Sequence, residues 1–169
     1  MAEKKNFRVI GIDPGLASTG FGIIDCIGGK LELVGYGVIE TKSDDEHSQR
    51  LLAIYERLNH VIKEFKPDYA EMEGLFFARN ITSAMAVAEA KGVITLCLAK
   101  NGMEPAIYTP NQIKFSVTGS SKAEKDTVQQ YVQILLKMDH IPKPDHAADA
   151  LAGAITHINS LINSLNDNI

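Results

Sequence analysis

Phe7-Arg8-Val9-Ile10-Gly11-Ile12-Asp13-Pro14-Gly15 is the stretch whose reading decides the fold. A mostly apolar run climbs to a single carboxylate, and a Pro-Gly turn follows it. Thr19-Gly20-Phe21-Gly22-Ile23-Ile24 then reads as a returning strand. An acid at the end of a buried strand is costly unless something pairs with it. Asp13 is therefore either a turn residue before Pro14-Gly15 or the centre of a site that supplies its partner.

Working outward, residues 7–13, 18–26 and 31–40 read as three strands, with Gly28-Gly29 as a hairpin turn, so the sheet opens as an antiparallel meander. Leu51, Tyr55, Leu58, Ile62 and Phe65 fall on one stripe of a helix over 44–66, which Lys66-Pro67 ends. Tyr69 to Glu73 is a short strand that begins where a helix has just stopped, which points to a mixed α/β sheet. Residues 80–100 predict a long helix apolar on almost every side, with Ala84, Ala88 and Gly92 as a small face. Such a helix must be covered all round, either inside the fold or by a second subunit; a dimer interface is the favoured reading. Residues 105–109 form another strand, and Pro110 opens a helical turn. Ser121-Lys122-Ala123-Glu124 has the capping-box pattern for a helix running to about Lys137, with Val128, Val132 and Leu135 on its buried stripe and Tyr131 beside it. The last helix starts near Asp145, and its Asn- and Ser-rich end, about 160–169, is expected to fray.

With 45% hydrophobic and 22% charged residues over 169 positions, one soluble globular domain spanning 1–169 is expected. The start, Met1 to Asn6, lacks the apolar centre of a signal peptide, and the longest apolar run, Gly92 to Ala99, reads as a buried helix segment and not a membrane span. Cys26 and Cys97 lie in apolar patterns without a C-x-x-C spacing and read as reduced core thiols of a cytoplasmic protein. A formal net charge of −4 argues weakly against nucleic acid, unless the acids gather at a metal and local basic patches do the binding.

Three acids stand out by position. Asp13 ends the first strand, Glu73 ends the fourth, and Asp149 lies in the first turns of the last helix among alanines. Asp145 and His146, four and three residues earlier, can share the face of Asp149. Hard divalent cations take oxygen ligands from separate elements, and two ions about 3.5–4 Å apart can hold both the attacking water and the leaving oxygen of a phosphodiester. Acids at neighbouring strand ends with another on an approaching helix suit that chemistry. Each also has a plainer reading: Asp13 as a turn residue, Glu73 as a solvated strand end next to an equally plain Glu71, Asp145 as an N-cap, His146 as a surface histidine.

The motifs are more telling together. Gly11-Ile12-Asp13-Pro14-Gly15 with Thr19-Gly20-Phe21-Gly22 comes first, followed by Pro67-Asp68-Tyr69, then Glu73 with Phe76, Ala78 and Asn80. Ala90-Lys91-Gly92-Val93, Gln112-Ile113-Lys114 with Val117-Thr118-Gly119, Ala123-Glu124-Lys125, and Ala147-Ala148-Asp149-Ala150-Leu151-Ala152 follow in order. Through these stretches the chain resembles the RuvC family of Holliday-junction resolvases, in the RNase H-like superfamily. The resemblance implies an α/β, RNase H-like fold: a mixed five-stranded sheet, three antiparallel strands then two parallel, with helices on both faces. It implies a crossover junction endodeoxyribonuclease with a metal-binding catalytic set at Asp13, Glu73, His146 and Asp149. Position 146 departs from the all-carboxylate version of that set. His146 supplies one less negative charge, suits Mn²⁺ better, or handles a proton; Asp145 beside it is a candidate to restore the charge.

The resemblance further implies two Mg²⁺ per site, replaceable by Mn²⁺, and metal-assisted in-line hydrolysis that leaves 5′-phosphate and 3′-hydroxyl ends. It implies a homodimer, through the helix at 80–100, that nicks two opposed strands of a four-way DNA junction in recombination and repair, in partnership with a RuvA–RuvB branch-migration complex. Lys114 and Lys125 match positions that contact DNA, and Lys122 adds a third cation before the helix start. Phe76 matches an aromatic that stacks on an unpaired base, with Arg79 placed to hold a phosphate beside it. Three other readings compete: an actin-like ATPase phosphate loop at residues 11–20, an RNA-directed nuclease of the same superfamily, and a non-catalytic junction binder.

Overall fold

Side chains along the first strand alternate between two cores, and this alternation sets the architecture. In the computed structural model, which describes residues 6–74 and 80–167, β1 (Phe7–Asp13) sends Phe7 and Val9 to one core and Ile10 and Ile12 to the other. β2 (Ser18–Ile27) and β3 (Lys30–Glu40) extend an antiparallel meander from it, turning at Gly28 and Gly29 with φ of 58° and 82°. Positive φ at both turn positions is what a two-residue hairpin demands and what glycine supplies without strain.

α1 (His47–Phe65) carries the chain to β4 (Tyr69–Glu73), which pairs parallel with β1; α2 (Ile81–Lys100) carries it to β5 (Pro105–Tyr108), parallel with β4. The sheet order is β3-β2-β1-β4-β5. The expected mixed sheet of three antiparallel strands and two parallel ones is thus present. α1 and α2 cover one face, and α3 (Pro110–Thr118), α4 (Lys125–Leu135) and α5 (Asp145–Asn166) cover the other.

Local details depart from the sequence reading. The capping box forms at Thr109–Gln112, opening α3, and not at Ser121–Glu124: α4 begins at Lys125 after Glu124, without a side-chain cap. Lys114 therefore lies within α3 and Lys122 in the loop before α4. On α4 the buried positions are Val128, Gln129 and Val132, with Leu136 just beyond; Leu135 and Tyr131 are exposed, because the buried stripe lies one position round from the one expected. Asp145 is the first residue of α5 and not its cap, a position held by Pro144. α5 remains helical through Asn166, across much of the segment expected to fray.

α2 is not a wholly buried helix. Ala90, Ile94, Cys97 and Leu98 lock into the core with α1, while Ile81 (77% exposed), Met85 (60%), Ala88, Gly92 and Leu96 (57%) face outward in one stripe. By length and composition alone α2 is apolar enough to cross a membrane, with a mean hydropathy of 1.5. Its buried residues are instead committed to this core.

The closest packing lies between α5 and the sheet. A Cβ on Gly11 would sit 2.1 Å from the Ala150 carbonyl oxygen, and one on Gly20 would sit 2.0 Å from that of His146. A Cβ on Gly22 would sit 2.6 Å from the Leu151 side chain. The facing residues of α5 include Ala147, Ala150 and Ala154, all buried. Glycine on the strands and alanine on the helix let the two backbones approach within a distance that larger side chains forbid. Gly20→Ala should therefore destabilise the fold by about 1–3 kcal/mol, the usual cost of overpacking. Urea denaturation checks this, and an unchanged midpoint would show that α5 has room to retreat.

Candidate active site

Strand parity places the acids on one side. Gly11 and Asp13 on β1, and Tyr69, Glu71 and Glu73 on β4, point to the α5 face, opposite Ile10, Ile12, Ala70 and Met72. The turn after Asp13 is tied down by Thr19, a wholly buried residue whose hydroxyl donates to the Gly15 carbonyl at 2.6 Å. From the opposite side, α5 brings in His146 and Asp149. Its close seating on Gly20 and Gly11 sets their height above the sheet.

The ligand atoms of Asp13, His146 and Asp149 all lie within 4.8 Å of one another. His146 Nδ1–H donates to Asp13 Oδ2 at 2.7 Å, and that bond is the main reason the imidazole pKa is raised. Glu73 borders the same space. Burial first, then the charges of Asp13 and Asp149, push its carboxyl up to about 7. Asp149 is also raised, by burial and then by Asp13. Carboxylates crowded together out of water resist ionisation unless cations join them. Lys125 is one such cation, with Nζ 3.3 Å from Asp149 Oδ2 and 3.4 Å from Asp145 Oδ2. A cavity of about 240 Å³ opens beside it, lined by Glu73, Lys114, Lys125 and Asp149. An oxygen-rich set with one imidazole, on three separate elements and short of positive charge, fits a divalent metal.

Of the sequence-derived residues, Asp13, Glu73, His146, Asp149, Lys114 and Lys125 come together here. Lys122 is exposed in the loop before α4 and is not among the described residues that line the cavity. Phe76 and Arg79 lie outside the described residues.

Two participants escaped the sequence reading. Glu71 was passed over as a plain neighbour of Glu73. It is fully buried, and neither carboxyl oxygen has a hydrogen-bond partner among the described residues. A Cβ on Gly153 of α5 would fall 2.0 Å from its Oε2. Burial, then Glu73 and Asp13, hold its carboxyl well above the ordinary range, against smaller opposing effects of the Ile12 backbone and Lys91. Its place two residues before Glu73 on an alternating strand was the available signal. Gln129, buried on α4, donates to Asp145 Oδ1 at 3.1 Å; a polar residue within an apolar stripe was its signal.

The raised carboxyls set a pH dependence. In the metal-free protein Glu73 holds its proton up to about pH 7, whereas the unfolded chain releases it near the ordinary carboxyl value of 4.5. The folded state therefore binds more protons between those values, so stability falls as pH rises through that window. The raised Asp149 and His146 act with the same sign. Glu73→Gln should stabilise the chelator-treated protein at pH 8, by at most a few kcal/mol, and change little at pH 4. Thermal unfolding across pH measures it; equal effects at both ends would mean Glu73 is not strained.

Comparison with known proteins agrees with this fold. Residues 9–157 match the family model described as crossover junction endodeoxyribonuclease RuvC. Treponema denticola crossover junction endodeoxyribonuclease RuvC is 49% identical over 160 residues, covering 94% of this chain and 90% of that one. The Fusobacterium nucleatum protein of the same name is 47% identical, covering 91% and 81%. The solved structure of Thermus thermophilus RuvC in complex with a Holliday junction substrate superposes with a TM-score of 0.88, at 31% identity, over 93% of this chain and 96% of that one. A second Thermus thermophilus RuvC structure gives 0.85. Matched along nearly its whole length in sequence and in fold, the chain belongs to the RuvC family of crossover junction endodeoxyribonucleases.

Proposed function

We propose that this protein, as a single domain over 1–169, resolves four-way DNA junctions by metal-dependent nicking of two opposed strands, leaving 5′-phosphate and 3′-hydroxyl ends. The observation that carries this reading is the convergence of Asp13, His146 and Asp149 within 4.8 Å, with Glu73 pushed up to about 7 beside them. The Thermus thermophilus relative, solved with a Holliday junction, supports the substrate. Recombination and repair are the processes such cutting serves. The cytoplasm, where bacterial DNA lies, is the compartment, and a RuvA–RuvB branch-migration complex is the proposed partner.

Asp13, Glu73, Asp149 and His146 would hold the ions, two Mg²⁺ or in their place Mn²⁺. Bound there, divalent ions would lower the pKa of an attacking water and offset negative charge on the phosphate oxygens. The protein does the rest. Asp13 and Glu73 on rigid strand ends and Asp149 on α5 fix the geometry to which the phosphate must conform. To ligate an ion through Nδ1, His146 would have to release to solvent the Nδ1 proton it now shares with Asp13. A second reading, in which His146 moves a proton during cleavage, is favoured by its 2.7 Å bond to Asp13. Lys125 and Lys114, which line the cavity, would contact phosphates, with Lys122 as a third cation; Phe76 would stack on an unpaired base, with Arg79 holding a phosphate beside it.

The exposed stripe Ile81, Met85, Ala88, Gly92 and Leu96 is the proposed dimer interface. A Cβ on Gly92 would meet nothing within 4 Å, so a partner helix can come close there. Two sites related by a two-fold axis would meet opposed strands of a symmetric junction.

The purified protein with Mg²⁺ or Mn²⁺ should cut a mobile four-way junction at symmetric positions in opposed strands; an uncut junction in both metals would overturn the reading. Asp13→Asn should lower cleavage by at least about a thousandfold while leaving junction binding within a few-fold. His146→Asp should keep cleavage and shift preference toward Mg²⁺. Loss in both metals, as with Asp13→Asn, would make the imidazole a proton carrier. Met85→Glu should yield monomers by light scattering and lose paired nicking; a dimer that persists would place the interface elsewhere.

A further inference from the structure

Asp145 is not one of the proposed ligands, yet it is the most heavily engaged carboxylate around the site. Its Oδ1 accepts from Gln129 Nε2 at 3.1 Å and from Lys143 Nζ at 3.1 Å, and its Oδ2 lies 3.4 Å from Lys125 Nζ. Lys125 and Gln129 are one turn apart on α4 and so share a face. Asp145 begins α5, where the helix dipole favours an anion.

We propose that Asp145, oriented by Gln129, is a positioning residue that keeps the Lys125 ammonium at the mouth of the site when Asp149 turns to a divalent cation. The proposal rests on the metal-dependent nuclease reading. Lys125 divides its charge between Asp149 and Asp145 at nearly equal distances. Were Asp149 its only partner, a divalent cation there would repel the ammonium and send it into solvent. Asp145 gives Lys125 a second counter-charge, one turn of α5 away from Asp149 and itself tied to α4 through a buried glutamine. The ammonium then remains beside the 240 Å³ cavity, available to a phosphate oxygen. Asp145 also restores to the neighbourhood the negative charge that position 146 lacks, while leaving the ligand set unchanged.

The full-length protein tests this on a mobile four-way junction at saturating Mg²⁺. Asp145→Asn should lower kcat by about tenfold, the scale of a modest misplacement at a reacting centre. Lys125→Met should lose at least as much, and Asp145→Asn with Lys125→Met should lose no more than Lys125→Met alone, the signature of one residue acting through another. Asp145→Glu should recover most of the rate. A second readout needs no turnover: side-chain NMR of the Lys125 ammonium. Its signal should persist in the wild type when Mg²⁺ is added to the DNA-free protein and vanish in Asp145→Asn. Wild-type kcat in Asp145→Asn, losses that multiply in the double variant, or a signal that survives in Asp145→Asn would each overturn the proposal. A wild-type protein that leaves the junction uncut would instead overturn the nuclease reading, with the NMR comparison still deciding the place of Lys125.

Discussion

The structure depends on how closely α5 lies on β1 and β2. Gly11, Gly20 and Gly22 leave no side chain where Ala150, His146 and Leu151 come down, and the carbonyl oxygens of α5 occupy the space where Cβ atoms would be. This contact buries Ala147, Ala150, Leu151 and Ala154 and forms the centre of one core. It also sets the site. His146 and Asp149 reach Asp13 only because the helix that carries them sits at backbone contact distance from the strand that ends there. Fold stability and ligand placement are one packing event, and a substitution that lifts the helix moves both.

The site built this way is electrostatically strained. Glu73, Asp149 and the buried Glu71 all have carboxyls raised first by burial and then by neighbouring acids, Asp13 among them in every case. His146 and Lys125 supply the available positive charge, each paired to a carboxylate of the set. Such an arrangement is poorly stable alone and well matched to cations, because the repulsion that opposes folding is relieved when they bind. Glu71 adds a further buried carboxyl beneath the site, and Gly153 is the residue that makes room for it.

Much of this was legible in the sequence, and the reasons are local. The apolar run Val9-Ile10-Gly11-Ile12 closing on Asp13 gave a buried strand ending in an acid, and Gly28-Gly29 gave the hairpin. The helix-to-strand step at Lys66-Pro67 pointed to a mixed α/β sheet, and the family resemblance supplied the order of antiparallel then parallel strands that the pairings show. The start of α4 was misread because Ser121 and Glu124 have the right chemistry for a capping box, whereas the chain forms that box at Thr109 and Gln112, where Pro110 already fixes the first turn. The hub at Asp145 was invisible because its partners, Lys125 and Gln129, lie 20 and 16 residues away on another helix. Periodicity places residues on faces of one element; it does not say which faces meet. The all-apolar α2 announced a need for cover, but only the packing showed that α1 takes one face and leaves Ile81, Met85 and Leu96 exposed.

The central claim is that the descent of α5 onto the glycine face of the sheet assembles a metal centre from Asp13, Glu73, His146 and Asp149. Anomalous diffraction from crystals of the protein soaked in Mn²⁺ tests it most directly. The account predicts anomalous density at coordinating distance from the Asp13 and Asp149 carboxylates, with Glu73 and His146 completing the ligand set. Density confined to other positions, or none among these residues at a Mn²⁺ concentration that supports cleavage, would contradict it.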